Sequence, residues 1–180
     1  MEDRARGGDL SVPEPVVIVE YDPEWPRRYE ALRAPLAAAV GDLAAEIVHV
    51  GSTSVPGLAA KPVIDLNILL RAQADLPAVI ERLAGLGYVH EGDLGIVGRE
   101  AFATPPGYSA HDHHLYVCAP DWGGHGDQIA FRDYLRSHPN VARAYARLKR
   151  TLAARHRNNR GAYANAKAGF VVAVLKRALR

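Results

Sequence analysis

Gly51, Ser52, Asp65 and Asn67 are the residues of this chain whose types and spacing could do chemistry. Gly51-Ser52 opens a loop rich in Gly, Ser, Thr and Pro (51–61), and Asp65 and Asn67 interrupt the apolar run that follows (63–70). A glycine lets backbone approach a phosphate with no Cβ in the way, and a serine hydroxyl can donate to a phosphate oxygen. Hard oxygen ligands such as carboxylates suit Mg²⁺, and pairs of such ions clamp the attacking and leaving oxygens of nucleotidyl transfer. Side chains alternate along a strand, so Asp65 and Asn67 share one face while Ile64, Leu66 and Ile68 share the other. A carboxylate in such a strand is costly unless paired with a metal ion, a basic side chain or the polar loop upstream. A polar turn followed by one buried, paired aspartate would account for the same residues, and residue types alone leave both readings open.

A second constellation is His111-Asp112-His113-His114, with His125 downstream. Imidazole and carboxylate suit Zn²⁺, Mn²⁺, Fe or Ni, and a histidine can also donate to phosphate or act as acid or base near neutral pH. Neighbours on a strand face opposite ways, so His113 and His114 are not expected to hold one ion. His111 with His113, or Asp112 with His114, could share a face. One packed and one exposed histidine is the plainer alternative, and His49 reads as a core histidine. The third group is basic. Lys61 ends the loop, Arg99 falls on a neighbouring strand, and Arg132 and Lys149 fall on helices expected to close over the sheet. Tyr163 and Lys167, one helical turn apart, are placed to cap a cleft. Arginine suits bidentate phosphate contacts, although each of these residues could equally be solvated surface.

The elements that must position these groups follow from periodicity. A first strand is expected at 16–19. A helix then starts at Tyr21-Asp22-Pro23, with Asp22 as N-cap. Trp25, Tyr29, Leu32, Leu36 and Val40 recur at helical spacing along it, and Pro35 should kink or split it. Strands at 47–50 and 63–70 flank the loop. A helix at 75–86, closed by Gly87, carries Ile80, Leu83 and Leu86. Strands follow at 88–90, 96–104 and 113–118, then a loop at 120–126 holding Trp122. Helices are expected at 128–137, from Pro139 to about 156, and at 163–179, separated by a polar break at 157–161. The pattern is α+β, a mixed sheet flanked by helices with a helical C-terminal part from about 127 to 180.

The 180 residues, 48% hydrophobic and 23% charged, fit one globular domain over 15–180 with a core large enough to need no disulfide. Residues 1–14 read as a loose, disordered tail without the apolar run of a signal peptide. No stretch is apolar enough to cross a bilayer. The single cysteine, Cys118, excludes an internal disulfide and fits a cytoplasmic setting. A net charge of +2 is too small to imply nucleic acid. The positive residues crowd after Arg132, either as a solvated helical face or as a surface that attracts phosphates. Oligomeric state is left open.

The run from His49 to Asp65 (HVGSTSVPGLAAKPVID) resembles the signature of the GrpB family, also called UPF0157. The segments Tyr21-Asp22-Pro23-Glu24-Trp25, His113-His114-Leu115-Tyr116-Val117 and Phe131-Arg132-Asp133-Tyr134-Leu135-Arg136, with Lys149, extend the resemblance to nearly the whole chain. It implies the nucleotidyltransferase fold of DNA polymerase β and similarity to a domain fused to dephospho-CoA kinase in some bacteria. It also implies that Gly51 and Ser52, continued by Thr53 and Ser54, hold a triphosphate with Lys61, Arg99 and Arg132 in support. Asp65 matches the first metal-binding aspartate. Asn67 stands where the second belongs, which removes a charge and should weaken Mg²⁺ or Mn²⁺ binding. His114 or His113 would supply a replacement ligand or base. The implied activity is transfer of a nucleotidyl group from a nucleoside triphosphate to a small-molecule acceptor. A catalytically silent nucleotide-binding or scaffolding module, linked to coenzyme A metabolism, is the alternative, and a metal-dependent hydrolase built on the histidines is a weaker third.

Overall fold

The computed structural model describes residues 15–105, 107 and 113–180. The expected tail at 1–14 and the candidate ligands His111 and Asp112 lie outside the described residues. Five strands form one mixed sheet in the order β1-β2-β5-β4-β3. They are β1 (Ala44–Val50), β2 (Ile64–Leu70), β3 (Val89–Gly92), β4 (Arg99–Ala103) and β5 (His113–Cys118). Only β2 and β5 run parallel, with Asp65 beside His114 and Asn67 beside Tyr116. β1 pairs antiparallel to β2, and β4 to both β3 and β5.

Alternation along β2 divides the sheet into two faces. Ile64, Leu66, Ile68 and Leu70 pack with Leu115, Val117 and Phe102 against α1 (Trp25–Val40) and α2 (Leu76–Gly85), which bury Leu36, Val40, Val79 and Leu83. The opposite face, with Asp65 and Asn67, is turned towards the C-terminal helices: α3 (Gly123–Ser137) meets β1, α4 (Pro139–Arg155) and α6 (Ala168–Ala178) pack on α3, and α5 (Arg160–Ala166) packs on α4 and α6. Among the described residues no helix is long and apolar enough to cross a membrane.

The differences from the expected elements have physical causes. The segment 16–19 is not a strand of the sheet: Val19 bridges Ala60, and the Val16 amide donates to the Arg157 carbonyl at 2.7 Å, which straps it along the loop and the end of α4. Pro35 does not split α1, which runs unbroken over 16 residues. Asp22 lies before the helix, where its Oδ1 accepts from the Glu24 amide at 2.9 Å. The loop expected at 120–126 gives way from Gly123 to the first turn of α3, where the Trp122 ring lies so close over Gly124 that a Cβ there would sit 2.3 Å from it. The last helix breaks at Lys167, whose amide bonds back to Ala164, three residues away, and so displaces the axis between α5 and α6. Despite its polar composition the central loop is partly core: Val55, Leu58 and Ala59 are buried against Leu135, Tyr145 and Ala146.

Candidate functional site

Gly51 sits at the end of β1 with φ +71° and ψ −174°, a conformation that side chains with a Cβ avoid. A Cβ there would lie 2.1 Å from Asp65 Oδ2. The bend and the carboxylate therefore touch, as the spacing of the two motifs suggested. Asp65 Oδ1 receives a hydrogen bond from His114 Nδ1 at 2.8 Å, the two being register partners across β2 and β5. An ionised carboxylate only accepts, so this bond fixes the proton on Nδ1 and leaves Nε2 as the basic nitrogen of the neutral ring.

The loop is held in its shape from both sides. His49 donates through Nε2 to Thr53 Oγ1 at 2.9 Å, because Thr53 itself donates to the Val63 carbonyl at 3.0 Å. Burial pushes the His49 imidazole down to about 4, and it stacks on Tyr29 with centroids 4.8 Å apart. Ser54 donates to the Gly51 carbonyl at 2.5 Å. Thr53 and Ser54, expected to help hold a phosphate, spend their hydroxyls on scaffold carbonyls. Arg132 donates to the His49 carbonyl at 3.0 Å and pairs with Asp133. Arg136 donates twice to the Ser54 carbonyl, at 3.1 and 2.7 Å. Two arginines from α3 thus grip the backbone on either side of Gly51-Ser52, and Arg132 is committed there. Ser52 and Tyr145 of α4 both line the space above the bend.

Above the bend lies a cleft with two lobes. A lobe of about 180 Å³ is lined by Ser52, Lys61, Asp65, His114, Lys149, Tyr163 and Lys167. It adjoins one of about 490 Å³ that shares Ser52, Asp65, His114 and Lys167 and adds Arg99, Tyr116, Phe131 and Tyr145. Arg99 lies over the Tyr116 ring at 4.3 Å. Lys149 is the group that sequence reasoning placed over the sheet without giving it a role. It is 2% exposed, and its Nζ has no hydrogen-bond partner among the described residues. It lies over the face of the Tyr145 ring, 4.7 Å from the centroid. Burial, and then the neighbouring Lys167 and Arg150, pushes its ammonium down to about 7. Lys167, over the Tyr163 ring at 4.5 Å, is also held below the ordinary lysine range, first by burial. The signal in the sequence was register: Lys149 falls four residues after Tyr145 and three before Leu152, on the apolar side of α4.

Other expected residues lie apart. His113 is fully buried on the α1–α2 face, 2.8 Å from the Tyr88 hydroxyl, so adjacent histidines do face opposite ways. His125 lies in α3 and bonds Glu46 at 2.8 Å. Asn67 is 0% exposed. Its Nδ2 donates to Gln128 Oε1 at 2.6 Å and meets His125 Nδ1 at 3.3 Å, while its Oδ1 has no partner among the described residues. No cluster of three or more His, Cys, Asp or Glu suited to a metal occurs among the described residues. This donor set does not fit a two-ion centre of Mg²⁺ or Mn²⁺. Among the described residues it offers one carboxylate, already bonded to His114, in a cleft lined by Lys149 and Lys167, and the second acid position is an amide sealed beneath α3.

A five-stranded mixed sheet with a glycine-serine bend facing an aspartate on the next strand is the nucleotidyltransferase-like architecture. The chain resembles Cid1 in complex with the UTP analog UMPNPP, with a TM-score of 0.51 at 16% identity over 73% of this chain and 40% of that one. It is far closer to the conserved protein GrpB from Enterococcus faecalis, with a TM-score of 0.80 and 30% identity over 91% and 97% of the two chains. In sequence it is 35% identical over 152 residues to UPF0157 protein YqkA of Bacillus subtilis (strain 168), matching 84% of this chain and 44% of that protein. The family described as GrpB protein matches residues 15–177, and the chain belongs to it.

Proposed function

We infer that the cleft binds the phosphate tail of a nucleoside triphosphate, with the base and ribose in the larger, aromatic-lined lobe. The observation that carries this is Lys149. A buried ammonium without an anionic or hydrogen-bonding partner is expensive, and here it shares a small lobe with Lys61 and Lys167 beside a glycine bend. An entering polyphosphate would supply the missing negative charge and accept from Ser52. The neighbouring lobe is lined by Tyr116 and Phe131, with Arg99 over the Tyr116 ring, and a base can pack against such flat side chains. The fold supports this reading, since Cid1 of similar architecture was solved with a UTP analog. Transfer of the nucleotidyl group to a small-molecule acceptor is a second reading. It is favoured by the Asp65–His114 pair, which puts a basic nitrogen on the cleft floor next to the bend.

Equilibrium dialysis against each of the four triphosphates, once with Mg²⁺ present and once in excess EDTA, tests the inference. At least one should bind, be displaced by inorganic triphosphate, and lose at least about tenfold in affinity in Lys149→Met. Failure of all four to bind sinks the reading. Release of pyrophosphate from a bound triphosphate would support the transferase reading, and its absence across a panel of hydroxyl and amine acceptors would leave a binding module.

A further inference from the structure

We propose that the cleft takes polyphosphate directly onto its lysines, without a divalent cation. The proposal deepens the nucleotide reading and rests on it. Sites that hold Mg²⁺ against phosphates surround the ion with oxygens, mostly carboxylates, waters and the phosphates themselves. Here the balance is inverted. Lys149 and Lys167 line the small lobe, while Asp65 is its single carboxylate among the described residues. Asp65 has Oδ1 engaged by His114 and Oδ2 packed against Gly51. A divalent cation seated there would face the Lys149 and Lys167 ammonium groups and, among the described residues, one partly occupied carboxylate. Unit charges a few ångströms apart at a half-buried site interact by several kcal/mol, so lysine and metal compete for the same phosphate oxygens.

The second acid position supports the same conclusion from the other side. Asn67 is the register partner of Val48 and Tyr116 on the cleft face of the sheet. Yet Gln128 and His125 of α3 cover it completely and consume its amide protons. Asn67 lines neither lobe of the cleft. Lys149 occupies the complementary role. It lines the small lobe with its Nζ unpartnered among the described residues, so it delivers positive charge where the fold has given up a negative ligand set. The ligand class that follows is a free polyphosphate tail, of an uncomplexed nucleotide or of inorganic triphosphate.

The sign of one substitution separates this from a metal site. Asp65→Asn keeps an oxygen to accept from His114 while removing the charge. If the metal holds the phosphates, that variant loses binding. If the lysines hold them, it removes a repulsive neighbour, and affinity should rise by about three- to tenfold. The experiment is calorimetric titration of the full chain with inorganic triphosphate and with ATP, each in excess EDTA and in excess Mg²⁺, for the wild type, Asp65→Asn and Lys167→Gln. Thermal melts of each variant without ligand check the fold. Binding in EDTA at least as tight as in Mg²⁺, tightened by Asp65→Asn and weakened at least fivefold by Lys167→Gln, supports the proposal. Binding that appears only with Mg²⁺, or that Asp65→Asn weakens or leaves unchanged, overturns it and leaves the nucleotide reading standing. No binding of either ligand in either buffer overturns both. Binding of inorganic triphosphate but not ATP supports the cation-free site and confines the ligand to inorganic polyphosphate.

Discussion

Gly51 is where backbone conformation and side-chain chemistry meet. Its φ of +71° with extended ψ belongs to a region open essentially to glycine alone, and the Asp65 carboxylate fills the space a Cβ would need. Gly51→Ala must either abandon that conformation or push Asp65 away from His114. We expect it to cost about 1–3 kcal/mol for the backbone and to abolish binding at the bend. Urea denaturation read by far-ultraviolet circular dichroism measures the first, and a midpoint equal to that of the wild type would show that the bend tolerates a side chain. Lys149 is the opposite case, because its chemistry comes from position and not from local conformation. A lysine among apolar residues of a helix is visible in sequence, but most such lysines carry their ammonium out to water along the aliphatic stem. That this one cannot is settled only by α5, the central loop and Tyr145 closing around it.

At the level of elements, α3 organises the site. Arg132 and Arg136, one turn apart, bind carbonyls on opposite sides of Gly51-Ser52, while His125 and Gln128 from the same helix cover Asn67. Arg136→Ala removes two charge-assisted hydrogen bonds to the Ser54 carbonyl. Because Arg136 is 41% exposed and also shares Asp133 with Arg132, a loss of about 1–2 kcal/mol is expected, below the full value of a buried pair. Amide exchange should accelerate at 52–55 while β2 and β5 keep their protection; equal acceleration throughout would mean that Arg136 supports the whole fold and not the loop. The strands flanking the bend, the face division along β2 and the opposition of His113 to His114 were all legible, because period-two alternation fixes them. The sealing of Asn67 was not. It depends on α3 starting at Gly123, and a glycine pair after Trp122 reads as loop until the indole is known to lie over Gly124. Arg132 was legible as an anion ligand by type, yet its target is a backbone carbonyl, which leaves no pattern in a sequence.

The molecule as a whole joins two layers across the site face, and the titration of buried groups at that junction should show in its stability. Lys149 in the native state holds its proton only up to about pH 7, whereas an unfolded lysine holds it to about 10.4. Between those limits the unfolded chain binds more protons, so stability should rise with pH from about 7 upward. Lys167, also held low by burial, adds to the same slope. Tyr145 and Tyr163 are pushed up by burial, so above about 10 the unfolded chain releases protons that the folded one keeps, and the trend reverses. His49 acts on the acid side. Its native value near 4 against an unfolded value near 6.5 makes stability fall as pH drops through that interval. The ligand-free protein should therefore be most stable at moderately alkaline pH. Lys149→Met should remove much of the rise between pH 7 and 9.5 while raising stability at pH 7, where the wild type carries part of an uncompensated charge. Urea midpoints at half-unit intervals for both proteins measure this. Parallel curves would mean that Lys149 is solvated or paired in solution, and would remove the physical basis for an anion in the cleft. Saturating triphosphate should flatten the wild-type slope as well, because a bound polyanion restores the ammonium to its charged form.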